Sequence, residues 1–285
     1  MKVAELNSFS KAALALDYTQ SNITMQIKQL ETELNCTLFD RIGKSISLTE
    51  QGKKFMEYAI TITSSVENAK HSLNNNQTPS GELKIGILES LCITYMPQLI
   101  HEFYKKFPKV NTIINIGTFE ELSAMLNNNQ IDLLWTFDKS IENSSWMKAI
   151  EYPNAIKVIS SPLLNRFQAQ PLSLSFLKDQ IFIFTEQNCS YRNYFENLLI
   201  SEGIPYNIFL EIGNTEIIKK FVASGLCLSV LPEFALETEL ATHTIETIDI
   251  TGFQLNMYSQ IFYHKNKWIT PAIQEFIKHL REYLK

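Results

Sequence analysis

Beyond residue 80 the chain alternates between two periodicities, and that alternation limits its fold more than any other feature. "ELKIGIL" sets Leu83, Ile85 and Ile87 at every second position, as a strand does. "MPQLIHEFYKKF" then has the spacing of a helix, "VNTIINIG" returns to strand, "EELSAMLNNN" to helix and "IDLLWTF" to strand. Parallel strands covered by helices are what such a succession builds. A second round starts near Gln180, with strands "QIFIF", "IFLEI" and "LCLSVLP" separated by helices "SYRNYFENLLISEG" and "EIIKKFVASG". "YSQIFYHKNKWITPAIQEFIKHLREYL" closes the chain as a strand and a helix. The expectation is two small α/β lobes, the first at about 81–160 with 261–285, the second at about 161–260.

The stretch "NNNQTPSG", Asn74 to Gly81, separates this region from a helical N-terminal part. In "DYTQSNITMQIKQLE", Ile23, Ile27, Leu30 and Leu34 recur at steps of four, three and four and share one helical face, with Thr19 as N-cap. The outward face carries Ser21, Asn22, Met25, Lys28, Gln29 and Thr32. A shorter helix, "SFSKAALALD", precedes it, with Ala12, Ala13 and Leu16 suited to close packing. Two helices joined by a tight turn form a helix-turn-helix. "CTLFDRIGKSISLTEQG" adds an apolar anchor, Leu38 and Phe39, a turn with Arg41 and Lys44, and alternating Ile46 and Leu48, the pattern of a basic-tipped hairpin wing. Phe55, Ala59, Ile62, Val66, Ala69 and Leu73 then follow a heptad seam that predicts a dimerisation helix.

Charge excludes some partners. The chain of 285 residues has a net charge of -5, which argues against a polyanion or anionic membrane as a whole-chain partner. Residues 1–60 hold seven basic and seven acidic side chains, so a nucleic-acid site must rely on base-edge contacts and paired heads. Gln20 and Asn22 suit bidentate contact with adenine, and Ser21 and Thr24 can reach bases or phosphates. The N-terminus does not read as a secretory signal, and no apolar run reaches the roughly 18 residues of a membrane span. Cys36, Cys92, Cys189 and Cys227 are scattered, and the five His have no metal-ligand spacing. Neither a nucleophile triad nor a GxGxxG or P-loop is present, so no cofactor, no metal and no enzymatic activity are expected.

The run "SFSKAALALDYTQSNITMQIKQLETELNCTLFDRIGKSISLTEQG" resembles the winged helix-turn-helix of LysR-type transcriptional regulators. The two α/β lobes are similar to that family's effector domain. The Ala-Ala pair, "QIKQLETEL", "LFDR" and "LTEQG" carry the likeness through their order and spacing. The resemblance implies an N-terminal winged helix-turn-helix at 1–54, a linker helix and hinge at 55–80, and a two-lobed, periplasmic-binding-protein-like effector domain at 81–285. It implies a cytoplasmic regulator that binds an operator in double-stranded DNA through Thr19, Gln20, Ser21, Asn22, Thr24, Met25, Lys28, Arg41 and Lys44. Homodimers or homotetramers, RNA polymerase as a partner and a small-molecule effector of polar or anionic character belong to the same implication. Ser90, Thr118, Ser190 and Arg192 match positions that line the effector cleft.

Three departures accompany the likeness. Relative to the family's usual pattern the first helix is about a dozen residues shorter, with "KVAEL" remaining; Ser21 stands where Pro is usual, and Met25 where Arg or Lys is usual. Two other readings stay open: a thiol-responsive regulator of the same family, using Cys189 near a helix N-terminus and Cys227, and a solute-binding receptor. Buried cysteine behaving as a small hydrophobe is favoured over the first; the helical head and the lack of an export signal speak against the second.

Overall fold

The computed structural model describes residues 1–42, 45–72, 78–164 and 171–284. The head opens with α1 (Lys2–Leu6), α2 (Phe9–Ala15) and α3 (Gln20–Glu33). Val3, Phe9, Ala12, Ala13, Ile23, Leu38 and Phe39 form its core, with Phe9 edge-on to Phe39 at 5.8 Å between centroids. Ala12 and Ala13 are buried because only a methyl lets α2 lie close against α3. The chain reverses at Asp17, whose φ of 56° lies in the left-handed region that Asp tolerates. Thr19 then caps α3, its hydroxyl accepting the Asn22 N–H at 3.3 Å.

Two side chains expected inside are not. Leu16 is 44% exposed and Leu34 38%. Both are C-cap residues, where the helical period stops fixing direction. The inward face of α3 is therefore Ile23, Ile27 and Leu30.

The wing is an antiparallel pair, β1 (Phe39–Ile42) and β2 (Ser45–Leu48), with Phe39 opposite Leu48. Glu31 holds it to α3: one carboxylate oxygen accepts the N–H groups of Leu38 at 2.7 Å and Phe39 at 3.2 Å. The long helix α4 (Glu50–Ser72) follows. At its start, Thr49 Oγ1 accepts the Gly52 N–H at 2.9 Å and donates to the Thr37 carbonyl at 2.6 Å. A Cβ on Gly52 would lie 2.1 Å from the Leu38 carbonyl oxygen, so the glycine of "LTEQG" lets α4 seat against the wing.

The remaining residues form the lobes. β3 (Gly81–Ile87), α5 (Glu89–Lys106), β4 (Val110–Ile116), α6 (Phe119–Asn127) and β5 (Leu133–Asp138) give parallel strands in the order β4-β3-β5. A long strand, β6 (Trp146–Ser160), then leads past the short β7 (Leu172–Ser173) to the second unit. That unit holds β8 (Ile181–Phe184), α7 (Ser190–Ser201), β9 (Asn207–Glu211), α8 (Thr215–Ala223) and β10 (Ser229–Pro232). α9 (Glu237–Ala241), β11 (Glu246–Ile248) and β12 (Ile250–Thr251) come next, before β13 (Asn256–His264) and α10 (Pro271–Tyr283) return to the first unit. β13 runs antiparallel to both β5 and β6, so the main sheet is mixed. Leu83, Ile85, Ile87 and Trp135 pack inside with Leu99, Phe103 and Phe276 from α5 and α10.

β6 was not expected from the sequence. Its first ten residues pair with β13 alone, while Ile156–Ser160 lies between β10 and β11. Pro153 is tolerated because it falls in the half with one neighbour.

Candidate functional site

A cleft of ≈ 430 Å³ lies at the carboxyl ends of β3, β4, β5 and β8, the place where parallel strands deliver helix N-termini and leave a crevice. Ser90 and Thr118 line it from the first lobe, and Ser190 from the second. Thr118 also builds a capping box on α6, accepting the Glu121 N–H at 3.3 Å while Glu121 accepts the Thr118 N–H at 2.9 Å. Ser190 opens α7, a helix with no side-chain cap. The three residues suggested by their place in the sequence thus meet in one cavity.

Arg192 does not join them, and its expected role as a charge for an anionic ligand is corrected. It is 2% exposed, on the buried side of the first turn of α7. Nε donates to Glu196 at 2.9 Å, and Nη1 and Nη2 form a fork onto Glu211 at 3.0 Å each. Nη1 also holds the Thr185 carbonyl. A guanidinium so enclosed by two carboxylates is a structural tie.

The cleft wall contains carboxylates that sequence reading passed over, among them Glu89, Asp138 and Glu186. Each ends or follows a strand or starts a helix, which was the available signal. Glu89 accepts a hydrogen bond from Asn214 Nδ2 at 2.7 Å, across the cleft. Burial raises its carboxyl pKa, with Glu186 and Glu216 adding to the shift.

Thiol chemistry finds little support. All four cysteines are free. Burial pushes the Cys189 thiol up despite its place at the start of α7, and pushes Cys227 to about 11. Such thiols are protonated near neutrality and react slowly.

On the head, Gln20, Ser21, Met25 and Lys28 are exposed along α3, with Asn22 and Thr24 half-buried. Gln20 Oε1 accepts from Ser10 at 2.8 Å, Asn22 Oδ1 from Gln26 Nε2 at 2.8 Å, and Thr24 donates back to the Gln20 carbonyl. Met25 is 63% exposed. Arg41 stands on β1 with its side chain outside the described residues, and Lys44 lies wholly outside them. On α4, Phe55 packs against the head core of its own chain. Ala59 is half-buried, whereas Ile62 and Val66 point outward with Tyr58, an i, i+4, i+8 row that adds Tyr58 to the expected seam. The Ala69 side chain and Leu73 lie outside the described residues.

Residues 1–53 match the profile of the bacterial regulatory helix-turn-helix protein, lysR family, and residues 76–285 match that of the LysR substrate binding domain. The chain belongs to the LysR family of transcriptional regulators. As a LysR-type regulator it is a DNA-binding protein controlled by a small-molecule effector, and not an enzyme. It is 34% identical to YwqM of Bacillus subtilis (strain 168), an HTH-type transcriptional regulator, over 99% of this chain and 96% of that one. It is 31% identical to the HTH-type transcriptional regulator CzcR of the same organism, over 99% and 94%. The LysR fold recurs in a full-length OxyR variant from Pseudomonas aeruginosa, with TM-score 0.78, 19% identity and coverage of 98% and 91%. Full-length CbnR in complex with its target DNA is also similar, with TM-score 0.56, 19% identity and coverage of 100% and 96%. LysR regulators bind DNA and effectors and form oligomers. Among the described residues no helix is long and apolar enough to cross a membrane.

Proposed function

We propose that this LysR-type regulator acts in the cytoplasm on an operator gripped by paired heads, and that an effector in the interlobe cleft sets the angle between them. The observation that carries this reading is the meeting of Ser90, Thr118 and Ser190, from both lobes, in one cavity at the strand ends. A ligand touching both lobes binds the closed form better than the open one, which is what effector control requires.

The division into a head at 1–54, a linker at 55–80 and an effector domain at 81–285 follows the same reading. On the head, Gln20, Ser21 and Asn22 at the start of α3 read base edges, and Lys28 with the wing residues Arg41 and Lys44 holds phosphates. Thr19 and Thr24 shape the start of α3, and Met25 offers an apolar contact where a charge would bind phosphate. Tyr58, Ile62 and Val66 give α4 an apolar row for a second copy, continued in sequence by Ala69 and Leu73. A dimer so formed presents two recognition helices, with tetramers and contact with RNA polymerase as further steps.

Footprinting with the purified full chain on genomic DNA tests the reading. A protected, roughly palindromic site is expected, and the lack of any specific footprint would sink it. In the Ser90→Ala/Thr118→Ala variant the footprint should persist and lose its response to effector.

A further inference from the structure

The cleft wall is of one sign. Among the described residues it presents five carboxylates, Glu89, Glu120, Glu121, Asp138 and Glu186, and no Lys, Arg or His. Two cations next to the wall in sequence are engaged elsewhere: the Arg192 guanidinium on Glu196 and Glu211, and the Lys139 ammonium over the Tyr194 ring, 4.5 Å from its centroid. A cleft with low-dielectric walls focuses the field of its charges, so this one repels a dicarboxylate and draws in a cation. Burial raises the Glu89 carboxyl, and the neighbouring carboxylates Glu186 and Glu216 add to the shift in the direction that a wall of negative charge dictates.

The carboxylates do not converge. No group of three His, Cys, Asp or Glu among the described residues is placed to hold a metal ion, so the wall suits an extended organic cation. A second observation marks a vacancy for a donor. Thr185 lines the cleft at 6% exposure; its hydroxyl can donate toward Cys189 and Tyr191, and its oxygen accepts no hydrogen bond. Such an oxygen accepts readily from an ammonium or guanidinium N–H.

We propose that the effector of this cleft carries a positively charged nitrogen, an ammonium or guanidinium group, that faces Glu89, Asp138 and Glu186 and donates to Thr185. The proposal rests on the reading of the cleft as the effector site, and it replaces the anionic effector suggested by the sequence.

Three four-carbon probes of equal length separate the charges: 1,4-diaminobutane, 4-aminobutyrate and succinate. Their binding to the full chain is measured by titration calorimetry, in the wild type and in the Glu89→Gln/Glu186→Gln variant. Gln at 89 keeps an acceptor for Asn214, and Glu186 is exposed, so the variant should retain its fold. At least one amine should bind, succinate should bind at least about tenfold more weakly, and the variant should lose about tenfold of the amine's affinity. Succinate binding as tightly as the amines, no amine binding at millimolar concentration, or amine binding unchanged in the variant would each overturn the proposal. Should the double variant misfold, Asp138→Asn is read in the same way. Succinate binding that disappears in Ser90→Ala/Thr118→Ala would leave the cleft as effector site and remove only its charge preference. Binding of every probe untouched by both sets of substitutions would place the site elsewhere and overturn the cleft itself.

Discussion

Asn214 Nδ2 donates a 2.7 Å hydrogen bond to Glu89 Oε1, joining the N-cap of α8 in one lobe to the first residue of α5 in the other. The same side chain caps its own helix, Oδ1 accepting the Ile217 N–H at 2.9 Å. Asn214→Asp keeps the cap, since Asp is as good an N-cap, but sets a second carboxylate against Glu89. The loss of the bond costs the closed arrangement about 1–2 kcal/mol. Small-angle scattering should report a larger radius of gyration at unchanged helix content; an unaltered radius would mean that other contacts hold the lobes.

The pKa of Glu89 makes stability depend on pH with a definite sign. Desolvation raises it above the ordinary 4.5 against the opposing hydrogen bonds from Thr215 and Asn214. The folded state therefore holds this proton more tightly than the unfolded state. The stabilisation is complete below pH 4.5 and is lost as pH rises through the elevated folded value. The thermal midpoint of the wild type relative to Glu89→Gln should fall over that interval and then level off. A relative midpoint that rose with pH would show that the hydrogen bonds outweigh burial.

Arg192 serves the fold, and its removal should be felt as stability. Arg192→Ala leaves Glu196 and Glu211 without their shared partner and frees the Thr185 carbonyl. A drop in thermal midpoint on the order of 5 °C is expected. Calorimetry showing no drop would return Arg192 to the list of ligand groups.

Gly52→Ala forces a methyl onto the Leu38 carbonyl at the joint of wing and α4. The head should lose about 1–3 kcal/mol, the usual cost of overpacking. Hydrogen exchange should locate the change in residues 1–60, and exchange unaltered there would mean that α4 can shift to make room.

The tip of α3 gives the DNA prediction. Gln20→Ala or Asn22→Ala should weaken operator binding by about 1–3 kcal/mol and leave non-specific binding alone. Lys28→Gln should weaken both and lower the salt dependence by about one released ion. Equal effects on specific and random DNA from all three would assign the face to phosphates alone.

Local periodicity explains what the sequence revealed. Ile23, Ile27 and Leu30 repeat as helix, Leu83, Ile85 and Ile87 as strand, and both signals survive folding because each element buries one constant face. β6 hid because its two halves live in different surroundings: the first is bordered on one side and partly wet, the second is enclosed on both. No single period describes it. Glu196 lies one helical turn from Arg192 and was a visible partner, but Glu211 lies 19 residues on and meets it only after β9 pairs with β8. Glu89, Asp138 and Glu186 are likewise far apart in the chain, gathered only where strands of the two separate sheets end at the cleft.

β6 carries one further consequence. β13 pairs with it up to Ala155, and β10 takes over at Ile156. β6 thus runs unbroken from one lobe into the other, beside the return of the chain into β13, and sliding of one lobe past the other would tear these ladders. Relative motion is left with torsion about a fixed axle at this junction. On the function proposed above, a bound molecule that draws Glu89 and Ser190 toward each other would therefore be felt at the head as a change of angle.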